Sequence, residues 1–464
     1  MPEETIVAIA TAIGEGSIGI IRLSGPEALK AGGEIFRLPS GSCYAPMPRR
    51  ATFGRIIEPK SGQVIDEGLF LFMPGPHSYT AEDVVEIQLH GSSKSLQMTL
   101  DLLLASPGVR LAEPGEFTQR AFLNGRLDLS QAEAVMDVIK ARTDRSLKAA
   151  AGQLEGALSR KIKEISGALL DLIARLEVVI EYPEDSLEEA ELPKVKKRLE
   201  EIGAEITQLR KSGREGKILR EGLMAAIIGL PNVGKSSLLN RLLGEERAIV
   251  TEIPGTTRDI IEEYLSIGGV PLHLIDTAGI RETDDKIEKL GIDRSRKALE
   301  NAQFVLMVLD GQRELSEEEK TLLIEAGSER TLVLINKIDA LKPNKIENLK
   351  EKIHQTGFTG AVLGISAQTG EGIEELAQAV QTWLHLDGAL SEGSPLVSNS
   401  RQIEALRKGE EALKEAIAAI DMNLPPDCIL VDVREGWAKI SEISGQAVSD
   451  EIISHIFSQF CLGK

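Results

Sequence analysis

The sequence predicts a multidomain chain that combines α/β with all-α architecture. An N-terminal α+β domain leads into a helical domain, and an α/β domain with a parallel-rich sheet flanked by helices is inserted into the helical one. Three observations carry this expectation. Short β-rich runs punctuated by turns fill the first stretch of the chain. Near Leu127 the texture changes, and apolar residues begin to recur at helical spacing. From Leu223, buried strands alternate with helical stretches until helices return at Arg401. Length agrees, since 464 residues at roughly 150 per domain suggest about three domains.

In chain order, Thr5–Ala10, Ile18–Leu23, Gly68–Phe72 and Val84–Leu89 read as strands, with turns at Ser24-Gly25-Pro26 and Pro74-Gly75-Pro76. From Leu129 to about Gly213 the spacing of Leu154, Leu158, Ile162, Ile165 and Leu169 predicts helices, which Pro183 and Pro193 are expected to divide. Leu223–Gly229, Pro271–Asp276, Phe304–Asp310, Thr331–Asn336 and Ala361–Ser366 are the expected strands of the inserted sheet. Asp387–Ser400 reads as a Gly/Ser-rich linker, and the helical remainder breaks at Pro425-Pro426. The expected domain limits are therefore 1–122, 123–217, 218–384 and 385–464, the last being the second part of the helical domain.

Composition narrows the function. A 42% hydrophobic, 27% charged chain has the balance of a soluble globular protein. Its net charge of −19 excludes a uniformly basic coat for nucleic acid, though not a local basic patch. No apolar run approaches the roughly 18 residues of a membrane span, and the acidic start is unlike a secretory signal. Cys43, Cys428 and Cys461 are spaced for neither a disulfide framework nor a zinc ribbon. The expectation is a reduced, cytoplasmic protein without membrane attachment.

The chemistry is concentrated in the inserted domain. Gly229-Leu-Pro-Asn-Val-Gly-Lys-Ser236 fits G-x-x-x-x-G-K-[ST], following a strand and opening a helix. Backbone N–H groups of Asn232, Val233, Gly234, Lys235, Ser236 and Ser237 can close around phosphates at the positive end of the helix dipole. Lys235 can add a point charge at the β/γ-phosphates, and Ser236 can ligate magnesium. Asp276-Thr277-Ala278-Gly279 ends a later strand, placing a carboxylate near magnesium and the Gly279 N–H near the γ-phosphate. Asn336-Lys337-Ile-Asp339 matches the guanine-reading N-K-x-D pattern, in which the aspartate accepts from the guanine N1–H and exocyclic amine. Ser366-Ala367 falls where a loop supports the guanine carbonyl. Gly255-Thr256-Thr257-Arg258-Asp259 occupies the place of a first switch, with Thr257 the candidate magnesium-sensing threonine. All these motifs in chain order predict a Ras-like P-loop domain that binds GTP or GDP with magnesium.

Two departures from the Ras pattern matter. Ile280 follows Gly279, so the glutamine that orients the attacking water in Ras is absent, and Asn232 stands in the phosphate loop. An asparagine there resembles GTPases that use a potassium ion in place of an arginine finger. Glu288, in the charged stretch after the second switch, has a solvated helix face as its plain alternative. Arg258 and Arg281 are more economically read as surface residues than as fingers.

The whole chain resembles the TrmE/MnmE family of tRNA modification GTPases. The resemblance rests on Glu4-Thr-Ile-Val-Ala8, Gly19-Ile-Ile-Arg22-Leu-Ser-Gly-Pro26, Tyr79-Thr-Ala-Glu-Asp-Val-Val-Glu86, Pro114–Leu129, the inserted domain, and Phe460-Cys461-Leu-Gly-Lys464. It implies an N-terminal domain that binds a tetrahydrofolate derivative (5-formyl or 5,10-methylene form) through Arg22, Glu86, Arg126 and Lys464, and that also dimerises. It implies potassium held by Asn232, Thr251, Ile253 and Thr256, magnesium held by Ser236 and Thr257, and Glu288 positioning the water network. Lys235, Thr257 and Glu288 would then be the catalytic set. It further implies a homodimer whose G domains pair on GTP and potassium, and a heterotetramer with the flavoprotein MnmG. The pair would modify C5 of the wobble uridine of certain tRNAs with an aminomethyl-type group. Cys461 would lie near the folate site; a buried thiol is its plain alternative. The competing reading is a regulatory or ribosome-assembly GTPase that binds RNA without modifying it. The mixed charge of Arg401–Lys464 and the 3% aromatic content argue against that reading.

Overall fold

The computed structural model describes residues 4–12, 14–43, 47–182, 187–245, 263–275, 296–384, 395–446 and 448–464. The chain divides into two compact units, Met1–Met136 with Ser441–Lys464, and Asp137–Ile440. No helix among the described residues is long and apolar enough to cross a membrane.

The first unit is built on β1 (Thr5–Ile9), β2 (Gly16–Ser24), α1 (Ala28–Ile35), β3 (Phe36–Arg37), β4 (Thr52–Ile57), β5 (Val64–Met73), β6 (Val84–Gly91), α2 (Ser93–Leu104), β7 (Val109–Leu111), α3 (Glu116–Leu123) and the start of α4 (Leu129–Lys140). Its seven strands run in the order β3-β4-β5-β6-β2-β1-β7, antiparallel except for the β1–β7 pair. Alternation sends Ile21, Leu23, Phe70 and Ile87 to one face, where α1 and α2 cover them. Ile6 and Ala8 of β1 face the other way, against Ala112 and Phe117. With both faces covered, β1 is apolar from Ile6 to Ile9. The C-terminal helix Asp450–Ser458 packs Phe457 beside Phe122, Phe460 just past the helix packs on Phe457, and the Gly115 N–H donates to the Cys461 carbonyl at 3.4 Å. Residues 461–464 are thereby fixed near the end of β1, where Gly463 lies against the Ile9 carbonyl.

In the second unit α5 (Asp144–Leu154), α6 (Ala157–Glu181) and α7 (Leu187–Glu221) precede β8 (Leu223–Ile228). Contrary to expectation, Pro193 does not end a helix; α7 runs through it. A proline there removes one backbone donor, and α7 continues because Val195, Leu199, Ile202 and Ile206 bury one face along the following turns. Pro183 lies outside the described residues. Then come α8 (Lys235–Glu245), β9 (Glu263–Ile267), β10 (Val270–Leu274), β11 (Phe304–Asp310), α9 (Glu317–Ala326), β12 (Thr331–Asn336), α10 (Pro343–Gln355), β13 (Val362–Gly364), α11 (Ile373–Trp383), α12 (Ser400–Asp421) and α13 (Pro426–Ser444). The six strands order as β13-β12-β11-β8-β10-β9, parallel except for β9, which pairs antiparallel with β10. Leu238 and Leu376 cover one face of this sheet, and Leu299, Leu322 and Ile353 the other. Strand β9 was absent from the sequence expectation, although Gly268-Gly269 is a hairpin signal.

The chain enters and leaves the α/β part through one neck. Asp137 accepts from Arg220 Nε at 2.7 Å and from Ser398 Oγ at 3.2 Å. Ser146 Oγ donates to the Leu219 carbonyl at 2.6 Å, and Gln153 donates to the Leu396 carbonyl. One buried carboxylate thus holds both the outgoing and the returning strand of the insertion. Asp137→Ala leaves Arg220 and Ser398 without that acceptor, and should lower the stability of the second unit by about 2 kcal/mol. Denaturant melts should show this shift, with Asp137→Asn falling between the two.

Candidate nucleotide and ligand sites

The nucleotide site is built at the C-terminal ends of β8, β11 and β12, the end at which open parallel sheets place ligands. Gly229 follows β8 with φ +148°, and a Cβ there would collide with the Val308 carbonyl. Gly234 has φ +100°, and a Cβ there would overlap the Asn336 carboxamide. These two positions need glycine, which explains the spacing of the loop motif. Between them Asn232 adopts φ +64°, a left-handed conformation that asparagine tolerates better than most residues. Val233 is buried in the sheet core, while Asn232 and Ser237 are exposed. Lys235 and Ser236 open α8, whose first N–H groups point at the loop. The loop therefore fits a phosphate.

Lys235 Nζ donates to the Gly229 and Leu230 carbonyls, both at 2.8 Å. Burial pushes its ammonium down to about 8. Asn336, 2% exposed, donates through Nδ2 to the Val233 carbonyl at 2.9 Å and accepts at Oδ1 from the Ala367 N–H at 3.0 Å. Lys337, at φ +66°, sends Nζ to the Asn232 carbonyl at 3.1 Å and to Asp310 Oδ2 at 2.7 Å. Asp339 follows in the short turn Ile338–Ala340, with its carboxylate exposed. Ser366 is fully buried and accepts from the Thr369 N–H at 3.1 Å. The two ends of the N-K-x-D motif thus divide the work: Asn336 braces two loops, and Asp339 faces outward.

Asp310, at the end of β11, was not singled out from the sequence. Burial would raise its carboxyl, but the Lys337 ammonium and the Gln312 N–H outweigh that and hold it below the usual carboxylate range. Its signal was a lone aspartate closing a fully apolar strand. Thr251, Ile253, Thr256, Thr257, Asp276, Thr277, Ala278, Gly279 and Glu288 lie outside the described residues.

A second constellation forms in the first unit around Tyr79. Arg22 pairs with Glu86 across β2 and β6, with contacts of 2.8 and 2.9 Å, and donates to the Gly463 carbonyl at 3.3 Å. The Arg22 and Arg126 guanidinium groups lie 5.2 and 4.9 Å from the Tyr79 ring centre. Arg126 also donates to the Tyr79 carbonyl at 2.7 Å, and Tyr79 Oη shares a hydrogen bond with Thr118. Burial, helped by the charge of Arg22, pushes the Lys464 ammonium below its ordinary range. Arg22, Glu86, Arg126 and Lys464 therefore come together although they span nearly the whole chain. Tyr79, whose ring meets the Arg22 and Arg126 guanidinium groups, stands in the sequence only as the first residue of the Tyr79–Glu86 motif. Cys461 is exposed beside them in the tail.

Two family models match the chain: one described as "MnmE helical domain" over residues 129–461, the other as "GTP-binding protein TrmE N-terminus" over residues 5–126. A tRNA modification GTPase MnmE of Clostridioides difficile (strain 630) is 46% identical over 463 residues, covering 100% of this chain and 99% of that one. The chain belongs to the MnmE family of tRNA modification GTPases. A second relative of that name, from Geobacillus kaustophilus (strain HTA426), is 46% identical over 464 residues, covering 99% of each chain.

The pH dependence of phosphate binding follows from Lys235. An anion in the loop stabilises the charged ammonium, so the bound-state pKa lies above the free-state value of about 8. Affinity for GDP should be level below that value and fall as pH rises through it, by up to about tenfold per unit. Calorimetry at pH 8 to 9 in buffers of differing ionisation enthalpy should register proton uptake on binding.

Proposed function

We propose that this protein is a potassium-activated GTPase. With a flavoprotein partner, MnmG, it would modify C5 of the wobble uridine of certain tRNAs, using a one-carbon unit from a tetrahydrofolate derivative. The observation that carries this reading is the brace at Asn336, which joins a phosphate loop to a guanine-type loop, in a chain of this family. Lys235 would turn from the loop carbonyls to the β/γ-phosphates, and the N–H groups of Asn232–Ser237 would hold them. Ser236 and Thr257 would hold magnesium, with Asp276–Gly279 completing the γ-phosphate side. Lys337 would fix the edge of the base site, Asp339 would accept from guanine, and Ser366-Ala367 would support the guanine carbonyl.

Asn232, Thr251, Ile253 and Thr256 would hold potassium, which would neutralise the negative charge that develops on the phosphates during transfer. Glu288 would orient the water that a glutamine orients in Ras. Thr257 would report the nucleotide state, and G domains of two copies would pair. The chain would divide as 1–122, 123–217, 218–384 and 385–464, and the cytoplasmic heterotetramer would act on tRNA.

The Tyr79 constellation suits a folate. Such a molecule carries an aminopyrimidine edge that donates hydrogen bonds, an aromatic face, and a carboxylate tail. Glu86 is the acceptor, Tyr79 the stacking surface, and Arg22, Arg126 and Lys464 the cations. An anion beside Lys464 would also relieve the repulsion it feels from Arg22. Arg22→Ala should weaken binding of 5-formyltetrahydrofolate by about tenfold or more, because it removes both a cation and the partner of Glu86. Equilibrium titration monitored by fluorescence checks this, and unchanged affinity would separate the cluster from folate.

GTP turnover compared in potassium and in sodium tests the core of the reading, with size measured in parallel using a GDP–metal fluoride mimic. Potassium should raise turnover by about tenfold or more and promote association, and Asn232→Ala should abolish both effects. Equal turnover in the two salts by a species of unchanged size would overturn potassium activation.

A further inference from the structure

Arg241 lies on α8, the helix that carries Lys235 and Ser236 at its start, and it belongs to none of the nucleotide-binding motifs. Its side chain crosses to the opposite end of the site. Nε donates to the Ala367 carbonyl at 3.1 Å, and the guanidinium also donates to the Gln368 carbonyl. The Ala367 N–H is already donated to Asn336 Oδ1. Asn336 and Arg241 therefore grip Ala367 through both of its backbone polar groups.

We propose that Arg241 is a positioning residue for guanine recognition, setting the loop at residues 366–368 against the helix that cradles the phosphates. The proposal rests on the GTP-binding reading above and deepens it. The loop closes on itself locally: Ser366 accepts from the Thr369 N–H and the Gly370 N–H, and its own N–H donates to the Glu371 carbonyl at 2.8 Å. Those bonds give the turn its shape but do not fix its placement relative to α8. Two ties do that. Asn336 reaches back to the Val233 carbonyl in the phosphate loop, and Arg241 reaches from α8 itself. Arginine suits this role because its planar fork donates to two successive carbonyls without rotating, whereas lysine has a single point charge on a flexible stem. Loss of the fork removes the direct tie to α8 and leaves Asn336 and the backbone bonds of Ile365 to hold the loop, while the phosphate loop, capped by Lys235 and braced by Asn336, keeps its geometry. The effect of Arg241 is thereby confined to the base end of the nucleotide.

The experiment compares full-length wild type, Arg241→Ala and Arg241→Lys for binding of GDP and of inorganic pyrophosphate, which engages the phosphate loop without a base. The expected result is a roughly five- to tenfold loss of GDP affinity in Arg241→Ala, a smaller loss in Arg241→Lys, and unchanged pyrophosphate affinity in both. GDP affinity unchanged in Arg241→Ala would overturn the proposal. Equal weakening of GDP and pyrophosphate would also overturn it, because that pattern belongs to a loosened α8. Failure of wild type to bind GDP would instead overturn the GTPase reading on which the proposal rests.

Discussion

The carboxamide of Asn336 donates to Val233 in the phosphate loop and accepts from Ala367 in the base loop, at 2.9 and 3.0 Å, in a position only 2% exposed. Without water to replace either partner, breaking one bond costs the full desolvation of a buried polar group. The position follows from the sheet. β12 is buried along its length, so the first residue at which the chain can turn outward is the one closing the strand. A polar residue there is tolerated only if its hydrogen bonds are complete. Lys337 extends the same junction through Asn232 and Asp310, so three strand ends share one network. Phosphate and base loops, distant in sequence, are thus parts of one object.

Two of the contacts between the inserted α/β part and the helices differ in chemistry. The neck is held by a buried carboxylate and directional hydrogen bonds around Asp137, which tolerate little displacement. The hairpin of β9 and β10 meets the segment before α5 by stacking: the Arg142 guanidinium lies 3.1 Å from the Tyr264 ring centre, and Tyr264 stacks on His273 at 4.7 Å. Stacked faces can slide at small cost, whereas a salt bridge in a buried neck cannot.

How far the sequence could be read depended on the range of the interactions involved. Phe304–Asp310 and Thr331–Asn336 match their strands to the residue, because the interior of a wholly buried parallel strand must be apolar and polar residues mark its ends. Strand β4 was missed: its Gly54 and Arg55 dilute the alternation, and only pairing with β5 defines it. Pro193 was overread, since a local breaker lost to the packing of a long apolar face. In the site, glycine positions were legible because sterics are local. Asp310 and Tyr79 were not, because their roles come from partners far along the chain.

Charge balance separates scaffold from site in the first unit. Arg110 and Arg120 share Glu116, with Glu4 and Glu82 at the outer ends, so carboxylates there outnumber cations. Burial would raise the Glu116 carboxyl, yet the two guanidinium groups and the Glu113 N–H hold it low, as in a satisfied structural network. Around Tyr79 the balance is reversed. Arg22, Arg126 and Lys464 converge with Glu86 as their carboxylate, in a chain whose net charge is −19. Arg22 and Arg126 serve the fold through Glu86, the Gly463 carbonyl and the Tyr79 carbonyl, and Lys464 beside Arg22 adds a further cation. In the proposed folate reading, the carboxylate tail of the ligand would complete that balance.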